Sequence, residues 1–150
     1  MSFTRADFYG LNLDWYAVDA FGQVAQLNTG FSPLPRNLFE DEDIYRRVCD
    51  YFNLIKPNQA AFLSQKAKSE NSLGIADYSL ALKEARRGLF IYDENEYGPI
   101  HTLIAVPVPP LNVTSLPEGI QQFLNKFHLP EVNFKNTETI DFLKYFDCVQ

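Results

Sequence analysis

The chain has few of the residues on which most enzyme chemistry is built. Among 150 residues there are two histidines and two cysteines, and seven glycines dispersed singly. His101 and His128 have no neighbouring His or Cys, so no zinc-type spacing exists and no metal site is expected. No Gly-x-Ser-x-Gly elbow, Walker loop or Gly-x-Gly-x-x-Gly turn occurs, which removes the common nucleophile and phosphate-binding devices and implies no cofactor. Cys49 and Cys148 stand far apart and read as reduced thiols. No apolar run reaches the roughly 18–20 residues of a membrane span. Met1–Ala20 carries Arg5, Asp7, Asp14 and Asp19, so a secretory signal is not expected there and the expected address is the cytoplasm. The Asn112-Val113-Thr114 sequon is then a chance match.

Positive charge is also scarce where the chain is most acidic. Net charge is −6, and no Lys or Arg occurs between Gly88 and Asn125. Residues 1–87 hold 10 basic and 11 acidic side chains, whereas residues 88–150 hold 3 and 8. A nucleic-acid binder needs a basic footprint to neutralise phosphates, so nucleic acid is excluded as the expected partner. An acidic surface suits a basic protein.

What the chain has in abundance is aromatic residues: 13 Phe, 8 Tyr and 1 Trp, within a hydrophobic share of 46%. That is enough for one sizeable core, and the length fits a single domain over 1–150. Leu13–Val18 and Gln23–Asn28 read as strands joined by the turn Asp19-Ala20-Phe21-Gly22. Glu40–Ile55 has Ile44, Val48, Tyr51, Phe52 and Ile55 at helical spacing, with anions at its start and Pro57 after its end. Asn58–Lys68 reads as a short helix and Asp77–Arg87 as a clearer one capped by Gly88. Leu89–Tyr92 and Ile100–Val106 form a second hairpin around 93–99, with Pro107, Pro109 and Pro110 ending the pairing. Ser115-Leu116-Pro117-Glu118 matches a capping box opening a helix with Ile120, Phe123, Leu124 and Phe127 inward. Val132–Phe134 is a short strand, and Thr139–Phe146 stays open between helix and strand. The expected fold is α+β: an antiparallel sheet of about four to five strands, built from two hairpins, with helices mainly on one face.

Candidate chemistry is thin. Cys49 sits one position off the apolar stripe of its helix and His101 in an apolar strand, so both read as structural. Asp14 and Asp19 fall on opposite faces of one strand, and Asp19 has a turn role. The candidate partner-binding residues are Tyr92, Asp93, Glu94, Glu96 and Tyr97, in which carboxylates at an expected hairpin tip are flanked by tyrosines.

The segment Leu13-Asp14-Trp15-Tyr16-Ala17-Val18-Asp19-Ala20-Phe21-Gly22-Gln23-Val24-Ala25 resembles the Asp-Trp-aromatic-x-x-Asp-x-x-Gly-x-aliphatic-Ala opening of a group of small bacterial proteins. Gly30-Phe31-Ser32-Pro33-Leu34-Pro35 and Leu89-Phe90-Ile91-Tyr92-Asp93 fit the same pattern. Those proteins are similar to candidate immunity proteins, which bind and neutralise a bacterial toxin domain. The resemblance implies a protein-binding module with a basic toxin domain as partner. Two alternatives stand beside it. One is a small ligand-binding domain or enzyme with an aromatic-lined pocket near Asp14, Trp15, Tyr16 and His101. The other is a structural subunit that hides an apolar face in a homodimer.

Overall fold

The computed structural model describes residues 13–94 and 99–149. Strands β1 (Leu13–Asp19) and β2 (Val24–Thr29) pair antiparallel with Val18 opposite Val24. The turn between them is built on one side chain. Asp19 is fully buried, and its carboxylate accepts from the Phe21 N–H at 3.0 Å, the Gln23 N–H at 2.9 Å and Gln23 Nε2 at 2.6 Å. Gly22 closes the turn at φ 77, where a Cβ would come within 3.0 Å of the Asn112 amide.

From β2 the chain passes through the two-residue strand β3 (Leu34–Pro35) into helix α1 (Glu42–Leu54). Asp41 caps α1 by accepting from the Ile44 N–H, and Glu42 pairs with Arg46 one turn on. The segment expected as a short helix divides differently: Ala60–Leu63 is strand β4, and helix α2 is Gln65–Ser72. Ser64 decides the boundary, because its hydroxyl accepts from Ala67 N–H as an N-cap while its own N–H bonds Ile104 O in the sheet. Helix α3 (Ser79–Ala85) ends at Gly88, whose φ is 99. Leu111 backbone lies within 3.0 Å of where a Cβ at Gly88 would sit.

Strands β5 (Phe90–Glu94) and β6 (Ile100–Val108) form the second hairpin. Pro107 does not end the pairing; it lies opposite Ala61 of β4. The Ser64–Ile104 bond sets the alternation, so Ala61 and Pro107 meet at a position where the ladder needs no N–H. Helix α4 is Glu118–Leu124 with Pro117 at its N-cap, two residues later than the capping-box pattern places it. Ser115 is occupied in a 3-10 turn, with its hydroxyl donating to Asn112 O, and no side chain caps α4. Val132–Phe134 is not a strand; β7 is His128–Leu129, and Phe134–Asn136 is a 3-10 turn. The ambiguous stretch contains both readings' elements, β8 (Thr139–Asp141) followed by a 3-10 turn at 142–144, and β9 (Cys148–Val149) pairs with β3.

The fold is α+β as expected, but the sheet is larger and mixed. Seven strands run β4-β6-β5-β2-β1-β7, with β8 also on β6. The pairs β2–β5 and β1–β7 are parallel, which corrects the purely antiparallel sheet of four to five strands. A parallel pair requires a crossover, and here the 60 residues between β2 and β5, which hold α1, α2, α3 and the short strands β3 and β4, supply it.

Strand alternation sends the sheet's residues to two different environments. Trp15, Phe90 and Tyr92 face the C-terminal segment, where Trp15 meets Phe127, Phe142 and Phe146 edge-on and Phe134 packs on Phe90 and Tyr92. Tyr16 and Gln26 face the helices: Tyr16 stacks on Phe52 of α1, and Gln26 bonds Glu84 of α3. The C-terminal segment is fastened to the hairpin through Asp19, which also accepts from the Phe134 N–H at 2.9 Å, and through Ala20 N–H to Val132 O. No helix among the described residues is long and apolar enough to cross a membrane.

Asp19→Ala strips the acceptor from three backbone N–H groups and one side-chain amide. The expected cost is about 3 kcal/mol or more in urea unfolding. A loss below about 1 kcal/mol would contradict the role given to Asp19.

Candidate functional site, an acidic cleft over the sheet

A row of polar residues crosses the helix-facing side of the sheet. Asp14, Asn28, Asp93 and Thr102 lie side by side on β1, β2, β5 and β6. Beside them Gln26 donates through Nε2 both to Asn28 Oδ1 at 3.3 Å and to Glu84, and Asn28 Nδ2 donates to Asp93 Oδ1 at 2.7 Å. The chain from α3 to the sheet therefore runs Glu84, Gln26, Asn28, Asp93.

Above this row is a cleft of about 510 Å³. Asp14, Asn28, Gly30, Asp93 and Glu94 come from the sheet side, and Asp77, Tyr78, Leu80, Ala81 and Glu84 from α3 and the residues leading into it. Five of those residues are carboxylates, and no Lys, Arg or His lines it among the described residues. Glu94 is committed to structure, since its oxygens accept from the N–H groups of Gly30, Phe31 and Ser32. Tyr78 is held by its hydroxyl, which donates to Glu70.

Asp77 is exposed, and the hydrogen bonds it accepts from the Ser79 hydroxyl and N–H hold it below the usual carboxylate range, whereas Asp14, Glu84 and Asp93 are partly dry. Burial first, then the charges of Glu84 and Asp93, push Asp14 up to about 6. Burial likewise raises Glu84 and Asp93, although the hydrogen bonds from Gln26 and Asn28 act the other way. Asp14 differs from both in that no described residue donates a hydrogen bond to its carboxyl. The backbone carbonyl of Asp14 is well supplied, accepting from Tyr45 Oη at 2.5 Å and from Cys49 Sγ at 3.9 Å. Clustered carboxylates with raised affinities for protons, in an open cleft, are a functional-site signature.

The residues expected at an exposed hairpin tip are placed otherwise. Tyr92 is wholly buried in β5, with its hydroxyl donating to Phe134 O and Thr137 O at 3.2 and 2.5 Å, so it is core. The strand runs two residues further than the sequence pattern indicated, which takes Asp93 and Glu94 out of the turn and into the cleft wall. Glu96 and Tyr97 lie outside the described residues.

The alternative pocket around Asp14, Trp15, Tyr16 and His101 is split by the sheet. His101 lies on the Trp15 side, edge-on to Phe142 at 5.1 Å. Its Nδ1 faces Pro99 O at 3.1 Å, and a carbonyl only accepts, so the proton is on Nδ1. Nε2 then accepts from the Thr29 hydroxyl at 2.6 Å, and Thr29 Oγ1 accepts from Trp15 Nε1 at 3.0 Å. Burial keeps His101 neutral and lowers it to about 4. Cys49 is on the opposite side, with burial raising its thiol to about 11, so the two make no nucleophile pair. Among the described residues no group of three or more His, Cys, Asp or Glu is arranged to hold a metal.

The cleft was not recognised from the sequence, although one signal for it was there. The Asp19–Gly22 turn fixes the hairpin register, and counting back from Val18 and Val24 sets Asp14 opposite Asn28. Asp93 and Glu84 join them only through the long crossover.

Compared with known protein families, with curated proteins and with solved structures, the chain matches none. The fold and the cleft together therefore define it as an α+β sheet protein with an acidic cleft between its sheet and a covering helix.

Two outcomes follow from the protonation states. Asp14 binds its proton more tightly folded, near 6, than unfolded, near 3.8, so its contribution to stability falls as pH rises through that window. Asp14→Asn is expected to stabilise the protein by about 1–3 kcal/mol at pH 7.5, with the gain gone near pH 4. Destabilisation at pH 7.5 would contradict the account. His101 ring nitrogen shifts should stay constant between pH 8 and 5.5, and protonation in that range would contradict its neutral, bonded state.

Proposed function

We propose that this chain is a protein-binding module that captures a basic partner on its acidic cleft. In keeping with the motif resemblance, we take it to be an immunity protein whose partner is a bacterial toxin domain. The observation that carries this reading is the composition of the cleft wall: five carboxylates, and no basic side chain among the described lining residues. Like charges held together in a partly dry cleft raise the local negative potential, which steers a basic protein and rewards its arrival. Asp93 and Glu94, the first acidic residues of the 93–96 stretch, belong to this wall, so the acidic excess after Gly88 has a place to act.

A second reading, a small ligand-binding domain or enzyme, draws on the high proton affinity of Asp14, which suits acid–base work. It finds no nucleophile or histidine among the described residues around the cleft.

Where a toxin domain is encoded beside its gene, co-production is expected to restore growth, with the two proteins forming a complex. Reversing Asp77 and Glu84 to Lys should slow association about tenfold or more at low salt and change dissociation less. Unrelieved toxicity, or association indifferent to both salt and these reversals, would contradict the proposal.

A further inference from the structure

We infer that the free edge of β4 takes up an extended acidic segment of a protein partner, which adds a strand to the sheet. This surface is separate from the acidic cleft and stands whether or not the cleft captures a basic protein.

Strand β4 ends the sheet, pairing with β6 and with no other strand among the described residues. The Ser64 N–H donates to Ile104 O at 2.8 Å, so the antiparallel alternation also gives Phe62 and Ala60 their bonds to β6. Ala61 and Leu63 therefore direct their N–H and C=O groups away from β6, and neither bonds another backbone group among the described residues. An edge of this kind is a template for another strand. Natural edges are commonly guarded by charged side chains or proline, and Ala60-Ala61-Phe62-Leu63 has neither. On one face Phe62 is 53% exposed, and Val108, opposite Ala60, is 49% exposed. Ala60, Phe62 and Val108 thus leave an apolar strip beside the edge, on which alternate side chains of an added strand pack.

Charge selects the strand. Residues 55–87 hold six basic and three acidic side chains, against seven and sixteen in the rest of the chain. The three acids are turned elsewhere: Asp77 and Glu84 line the cleft, and Glu70 accepts from the Tyr78 hydroxyl. Lys56, Lys66, Lys68 and Arg86 are exposed and form no ion pair among the described residues. They flank the edge at both ends. The Gln59 N–H donates to Arg86 O at 2.9 Å, which sets Arg86 beside the start of β4, and Lys66 follows Ser64 by two residues at its end. A second copy of the chain fits poorly, because pairing β4 with itself about a two-fold axis brings the Arg86 end of one copy against the Lys66 end of the other. A segment with apolar residues at its centre and carboxylates at both ends meets the strip and the cations together.

The test titrates the full chain, labelled with ¹⁵N, with the peptide acetyl-Glu-Glu-Thr-Val-Thr-Val-Thr-Glu-Glu-amide. Two controls are its counterpart with Lys for every Glu, and an acidic copy N-methylated at its five central residues, which keeps the charge and removes the strand donors. With the acidic peptide in excess, solvent exchange of the Ala61 and Leu63 amides is expected to slow about tenfold or more. The Ala60 and Phe62 amides, bonded to β6, are protected already. The acidic peptide is expected to bind about tenfold or more tighter than the lysine counterpart, with the difference shrinking as salt rises. Lys66→Glu with Arg86→Glu should remove that preference without changing thermal unfolding. Ala61→Pro, which takes out one outward donor and none that β6 uses, should weaken binding several-fold. Unprotected Ala61 and Leu63 amides, protection of another edge instead, or equal binding of the N-methylated copy overturns strand addition. So does binding unchanged by Ala61→Pro. Equal or tighter binding of the lysine peptide overturns the acidic partner. Protection of Ala61 and Leu63 without peptide, rising with protein concentration, puts a second copy on the edge and overturns the assignment.

Discussion

The structure depends on the buried carboxylate of Asp19. Three of its four donors belong to the β1–β2 turn, and the fourth, Phe134 N–H, belongs to a segment 115 residues away. One side chain thereby sets the hairpin register and fastens the C-terminal segment over the aromatic side of the sheet. The register places Trp15 and Tyr92 on the covered side and Asp14, Tyr16 and Asn28 on the helix side. The aromatic core and the acidic cleft follow from the same constraint, because a slip of one residue exchanges the two sides.

The two sides treat polar groups in opposite ways. On the aromatic side every donor and acceptor in the chain Trp15, Thr29, His101, Pro99 has a partner, as dry surroundings demand. On the helix side Asp14 and the Tyr16 hydroxyl lack donors among the described residues, and burial, with neighbouring carboxylates, raises the proton affinities of Asp14, Glu84 and Asp93. A protein that satisfies its polar groups so fully across one layer leaves them open in the next at a cost to stability. Such sites are retained where binding repays the cost. We propose that a basic partner supplies the positive charge that this side of the fold leaves out.

Local chemistry was legible in the sequence and distant pairing was not. The Asp19–Gly22 turn, the Asp41-capped helix and the Gly88 cap could be read because each depends on residues within one turn of chain. Residues 60–63 were misassigned because Ala, Phe and Leu suit either a helix or a strand, and pairing with Ala105–Val108 decided between them. The parallel neighbours of β1 and β2 come from sequence positions far away, so the mixed sheet left no local pattern. Of the candidate site, the acidity after Gly88 was visible, and of the residues singled out there Asp93 and Glu94 line the cleft. The association of Tyr92 with them was not, since its hydroxyl reaches two carbonyls of the C-terminal segment.

The most direct measurement is the titration of the Asp14 carboxyl carbon by ¹³C NMR, alone and with a basic partner present. The account predicts a midpoint near 6 in the free protein, moving down toward the ordinary carboxylate range when the partner binds. A free-protein midpoint near 4, unmoved by the partner, would contradict it.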